Sequence, residues 1–252
     1  MNWLLQGQVY KGKRFQGFSA SVLKLFAIIC MLLDHIGASY IEEGIYSISD
    51  TLSQQQLEHW IMLDSMLRII GRVTFPIMAF FIVEGLFKTR NVRNYILRLG
   101  VFAFISEIPF DLAIENSLLD FEHQNIFFTL VIGLMAIAIA QKLSQELFLA
   151  RLVPIVIAMI VAYALKTDYG AEGIAVIALM YAFYQIRLSK EAIGAIYIAT
   201  EIARPQIAVG SAIYAVLMFF YNGKRGFNMK YLFYVFYPAH LLILGMILRV
   251  KF

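Results

Sequence analysis

Nine stretches of this chain are apolar and long enough to cross, or nearly cross, a bilayer, and that succession limits the possible folds more than any motif does. They fall near 22–41, 68–87, 95–114, 125–141, 147–165, 171–187, 190–202, 206–221 and 231–249. In hydrocarbon a segment must satisfy its own backbone amides, so each run reads as a helix. The seventh run, EAIGAIYIAT, is short, which sets the range at eight to ten spans. Of 252 residues, 61% are hydrophobic and 15% charged, against about 45–50% and roughly 25% in soluble domains. No linker, composition shift or internal repeat divides the sequence. The expectation is an all-α, polytopic transmembrane helical bundle forming a single domain over residues 1–252.

Loop charge orients that bundle. Lys11, Lys13 and Arg14 precede the first run, whereas Glu42, Glu43, Asp50, Glu58 and Asp64 follow it with no basic residue before Arg68. Lys88, Arg90 and Arg93 then fill the next turn, and Asp111, Glu115, Asp120 and Glu122 the one after. Under the positive-inside rule this alternation implies a cytoplasmic N-terminus. The net charge of +4 is thereby absorbed by topology and gives no reason to expect a nucleic-acid partner. The first residues lack a secretory cleavage pattern, so the first span is expected to serve as its own insertion signal. Cys30 is the single cysteine, which excludes an intrachain disulfide. Residues 51–67 are too polar to span and read as an amphipathic segment on the outer interface, with His59 an interfacial residue.

Within the first run, LKLFAIICMLLDHIGASY, an acid stands beside an imidazole at Asp34-His35. Ionisable groups are costly in a membrane, and a span that keeps them normally uses them. Lys24 precedes His35 by close to three helical turns, which puts both on one face about 16 Å apart. Other polar residues reach the same outer side: Arg68 and Arg72 at i, i+4; Glu107 and Asp111 at the end of the third run; His123, Gln124 and Asn125 opening the fourth; and Asp168 before the sixth.

Each has a structural alternative. The arginines also suit a snorkelling helix end, Glu107 a helix-end charge, and Gln124 and Asn125 a helix cap. Glu84 pairs naturally with Lys88 at i+4. His240 follows Pro238, whose missing amide frees a carbonyl, so a buried hydrogen-bonded histidine is as good a reading as a catalytic one. No HExxH, CxxC or pair of histidines at helical spacing is present, and no metal is expected. The chemistry that remains is general base catalysis by histidine, whose ordinary pKa is near 6.5. Adjacent helical residues diverge by about 100°, so Asp34, Glu107, Asp111 and Asp168 are all candidates for the acid that orients His35. Lys24 near the inner boundary, with the basic loops around Lys88, Arg90, Arg93, Lys224 and Arg225, suits a polyanionic donor reaching toward His35.

The stretches LKLFAIICMLLDHIGA, RIIGRVTFPIMAFFIVEGL, LRLGVFAFISEIPFDLA, HQNIFFTL, DYGAEGI and YNGKRG…KYLFYVFYPAHLLIL together resemble the TraX family over most of residues 22–245. That resemblance implies a multi-pass protein of the bacterial cytoplasmic (inner) membrane. The family's namesake is implicated in N-terminal acetylation of conjugative F-pilin. The family is also similar to the wider integral-membrane acyltransferases, in which a basic residue on the first helix precedes a histidine by about ten positions. Lys24 and His35 match that spacing. The resemblance thus implies His35 as catalytic base and acetyl-CoA as acyl donor.

The expected activity is acetyl or acyl transfer from acetyl-CoA to an amine or hydroxyl of a protein, peptide or glycan acceptor, a pilin-like N-terminus among them. His35 would be the base, assisted by Asp34, Glu107 and Asp111. Arg68 and Arg72 would hold the oxyanion or an acceptor carboxylate. Lys24, Lys224 and Arg225 would hold the donor, with His123, Asn125, Asp168 and His240 around the acceptor. Two rivals stand beside this reading: a proton-coupled transporter, which more often carries repeats and broken helices, and a non-enzymatic membrane assembly factor.

Overall fold

The computed structural model describes residues 17–143, 147–186 and 205–252. The seventh apolar run, with Arg187 and Lys190, and the basic residues Lys11, Lys13 and Arg14 lie outside the described residues. The described chain is helical, with isolated bridges at Phe18–Tyr221 and Gln124–Thr167 and no strand among these residues.

Its α-helices are α1 Ala20–His35, α2 Gln54–Gly71, α3 Thr74–Lys88, α4 Val92–Ile114, α5 Ile126–Lys142, α6 Phe148–Ala164, α7 Gly170–Gln185, α8 Pro205–Phe219 and α9 Lys230–Lys251. Most of the expected runs coincide with these helices to within a few residues. The second run does not. Arg68 lies inside α2, and the helix breaks at Arg72–Val73 before α3 begins. Three helical stretches are long and apolar enough to cross a membrane by length and composition: Ala20–Thr51, Gln54–Lys88 and Tyr231–Lys251. Shorter apolar helices cover Ile126–Lys142, Phe148–Ala164 and Ala208–Phe219. Large apolar side chains such as Phe104, Leu149 and Ile160 face outward, which suits a lipid surroundings better than water.

Helix ends are set by local sequence. Ser53 and Gln56 form a reciprocal capping box at α2, and Asn91 accepts from the Asn94 amide at α4. Ser19 makes no such side-chain bond at α1. The amides of Ala20 and Ser21 instead donate to the carbonyls of Lys224 and Arg225, at 2.8 and 3.1 Å. The loop between α8 and α9 thus closes the N-terminus of α1. Gly226, at φ 73°, makes this possible, because a Cβ there would strike the hydroxyls of Ser19 and Ser21.

The core lies where α1, α3, α4, α5 and α9 meet, with Leu23, Ala27, Val73, Ile77, Leu134 and Leu241 fully enclosed. Between helices in lipid no water is released, so close packing and interhelical hydrogen bonds supply the cohesion. The Thr74 hydroxyl, for instance, donates to the Ala27 carbonyl at 3.0 Å and fastens α3 to α1. α9 packs most extensively against α4 and also contacts α1, which brings the last helix back onto the first.

Candidate functional site

His35 is the last residue of α1, and the chain continues as a π-helix over Ile36–Ile45. Segments of π-helix are rare and gather at functional sites. His35 Nδ1 lies 2.6 Å from His240 Nε2 on α9, with the two rings nearly parallel and 4.9 Å apart. His240 Nδ1 is in turn 2.7 Å from the Phe236 carbonyl oxygen.

This network assigns the protons. A carbonyl only accepts, so His240 Nδ1 carries the hydrogen and its Nε2 offers a lone pair. His35 Nδ1–H donates to that lone pair, leaving His35 Nε2 as the basic atom. The orienting partner is therefore a second histidine and not Asp34, Glu107, Asp111 or Asp168.

Asp34 has another attachment. Its Oδ2 pairs with Arg68 Nη1 at 3.0 Å, and Arg68 Nε reaches Glu42 at 3.2 Å. Arg68 is therefore held between two carboxylates and lacks the freedom expected of an oxyanion or carboxylate clamp. Asp34 Oδ1 is buried without a hydrogen-bond partner. Gly71 permits this approach of α1 and α2, since a Cβ there would overlap the Asp34 carboxylate.

Asp34, His35, Gly71, Asp168, Tyr169 and Tyr237 line a cavity of about 60 Å³. Arg72 does not line this cavity, but its side chain hydrogen-bonds Tyr169 and its charge is felt by Asp34 and Asp168. Asp168 comes from the turn between α6 and α7, tied to the α4–α5 connection by its amide on the Gln124 carbonyl at 2.8 Å. Burial raises the Asp168 carboxyl above the ordinary value of 3.8, with His123 and Arg72 acting in the opposite direction.

A larger cavity of about 540 Å³ opens at the other end of α1. Lys24, Lys88, Arg90, Arg98 and Arg225 contribute its positive charge, and Glu84 is the acid among them. Lys24 Nζ sits over the rings of Phe81 and Phe233, at 4.7 and 5.7 Å from their centroids. Glu84 is engaged by Lys88 at 2.8 Å and by the Tyr221 hydroxyl. Met78, Phe127, Leu130 and Phe233 line both cavities, so a shared apolar neck separates the basic end from the histidines.

Not every expected site residue joins these two spaces. Glu107 Oε2 accepts from the side chain of Asn125, and Asn125 Oδ1 accepts from the Phe127 amide at 3.0 Å, capping α5. Asp111 Oδ2 accepts from the Asp120 amide at 2.9 Å. Both acids thus fix the α4–α5 connection, and neither lines either of these two cavities. His123 is exposed beside Glu115 at 3.3 Å. Lys224 contributes its backbone carbonyl to α1 and not a side chain to the basic cavity. Arg98 and Tyr237 were missed: each is embedded in an apolar or aromatic run that reads as core.

A helical membrane-type protein with a buried histidine pair, separated by a shared apolar neck from a basic cavity, is the class these features define. The TraX family model, described as "TraX protein", matches residues 19–248, and the chain belongs to that family. It is also 31% identical, over 90% of this chain and 94% of the relative, to "Probable fimbrial assembly protein FimC, serogroup H1" from Dichelobacter nodosus. No solved structure matches. Among the described residues no group of three or more His, Cys, Asp or Glu is placed to hold a metal ion.

Proposed function

We propose that this protein is a multi-pass acyltransferase of the bacterial cytoplasmic membrane, with about nine spans and a cytoplasmic N-terminus. It moves an acetyl or related acyl group from a coenzyme A thioester to an amine or hydroxyl acceptor. The observation that carries the reading is the hydrogen-bonded chain from Phe236 through His240 to His35, which leaves His35 Nε2 basic beside a cavity. The basic cavity at the far end of the neck supports a phosphorylated donor.

In this mechanism the donor's phosphates rest near Lys24, Arg98 and Arg225, and its thioester passes the neck toward His35. His35 Nε2 takes the proton from the acceptor N–H or O–H as that atom attacks the thioester carbon. The C–S bond breaks, and the departing thiolate takes the proton from the His35 imidazolium. His240 holds the ring and its tautomer. Asp34 Oδ1 is available to accept a hydrogen bond from an acceptor amine or hydroxyl. The relative's name, a fimbrial assembly protein, supports a fimbrial-type subunit as acceptor.

The test is thiol release from acetyl-CoA by purified protein in detergent, with acceptor peptides followed by mass spectrometry. His35→Ala should lower turnover by about 10²–10⁴-fold. Wild-type-like turnover in that variant would overturn the mechanism. The relative's name equally favours a second reading, a membrane assembly factor without catalysis. That reading expects no thiol release from wild type and intact assembly in a His35→Ala strain.

A further inference from the structure

Tyr237 occupies a position that general packing does not account for. Its ring is 2% exposed, yet its hydroxyl is buried without a hydrogen-bond partner. A phenol kept in such a place ordinarily finds a partner, because an unsatisfied buried hydroxyl is destabilising. Tyr237 lies one turn before His240 on α9, and its ring meets both histidine rings edge-on, at 5.8 Å from His35 and 5.7 Å from His240. It also lines the same small cavity as His35. Ile126, the first residue of α5, lines that cavity too, and its amide lies toward the Tyr237 oxygen without closing an ordinary hydrogen bond.

We propose that Tyr237 is a catalytic residue, its hydroxyl donating a hydrogen bond to the acyl carbonyl oxygen as negative charge develops there. The inference rests on the acyl-transfer reading above and supplies the donor that Arg68, fixed between Asp34 and Glu42, does not provide. When the acceptor atom adds to the thioester carbon, the carbonyl π electrons move onto oxygen. Tyr237 O–H shares its proton with that oxygen but does not lose it. As the C–S bond breaks, the electrons return and the hydrogen bond weakens. His35 carries the only proton transferred, so the phenol ends each cycle unchanged. The Ile126 amide, directed at the phenol oxygen, would leave the hydroxyl proton facing the cavity.

The experiment compares wild type, Tyr237→Phe and His35→Ala in the thiol-release assay, with the Tm of each in detergent. Tyr237→Phe removes one oxygen and keeps the ring. Turnover should fall about 10²–10³-fold, with the thioester KM changed less than threefold and Tm not lowered. If wild type is active, His35→Ala is inactive and Tyr237→Phe stays within threefold of wild type, the Tyr237 assignment is wrong while acyl transfer stands. If wild type releases no thiol, or His35→Ala retains full turnover, the acyl-transfer reading itself fails. A Tyr237→Phe protein that loses activity together with more than a few degrees of Tm marks Tyr237 as structural and overturns the proposal.

Discussion

The two cavities along α1 are built on different principles. At the N-terminal end of α1, the lining includes five long cationic side chains: Arg90 and Arg225 are exposed, and Arg98 Nε has no hydrogen-bond partner. At the C-terminal end of α1, His35 is fixed by two successive hydrogen bonds and Asp34 is clasped by Arg68. On the acyl-transfer reading, the first space would hold the donor through charge and tolerate small displacements. The second depends on orientation, where an error of an ångström is costly. Substitutions in the two places should therefore alter different kinetic constants.

Beyond the substitutions at His35 and Tyr237, the largest effect should come from His240→Ala. Without it His35 loses its partner at Nδ1, and turnover should drop roughly 10²-fold while donor KM holds. A large KM rise with unchanged turnover would place His240 in binding instead.

The neck between the cavities gives a sharper comparison. Met78→Trp narrows it, so activity with acetyl-CoA should fall about tenfold, whereas a truncated thioester lacking the nucleotide should be much less affected. Equal losses with both donors would argue against passage through the neck.

A smaller effect is expected at the basic cavity. Arg98→Ala should raise acetyl-CoA KM about fivefold at low salt, with turnover preserved, and the difference should shrink as ionic strength rises. Steady-state kinetics at two salt concentrations measure this directly.

The smallest effect concerns stability. The folded-state pKa of Asp168 is raised above 3.8, so the folded protein holds that proton more tightly than the unfolded chain does. Its contribution to stability is full below the ordinary value and declines as pH rises through the raised one. Asp168→Asn should remove that decline, so the variant's Tm relative to wild type should increase with pH above 3.8. A Tm difference independent of pH would show that the carboxyl does not titrate differently on folding.

The helices were legible because apolar run length reports directly on what must be satisfied within the protein. The run near 125–141 is α5 at Ile126–Lys142, and that near 147–165 is α6 at Phe148–Ala164. Lys24 and His35 could be related from the sequence because they share one helix, where spacing becomes geometry. The histidine pair was not, since its members are 205 residues apart in sequence and meet only through the packing of α9 across α1. Arg68 was visible as a cation in the correct neighbourhood. Its commitment to Asp34 and Glu42 depends on how α2 crosses the π-helix, which charge pattern does not encode. Tyr237, within FYVFYPAH, is indistinguishable in sequence from its aromatic neighbours until its unpartnered hydroxyl is seen.

The loop that seals α1 has a consequence for how the protein is made. The amides opening the first helix wait for carbonyls at Lys224 and Arg225, and His35 waits for His240. During synthesis α1 enters the bilayer early, with both ends incomplete. A growing chain therefore holds neither a sealed first helix nor an oriented base until α9 has been translated and docked. Docking of α9 and assembly of the histidine pair are therefore one event, so a partly made chain carries His35 without its partner.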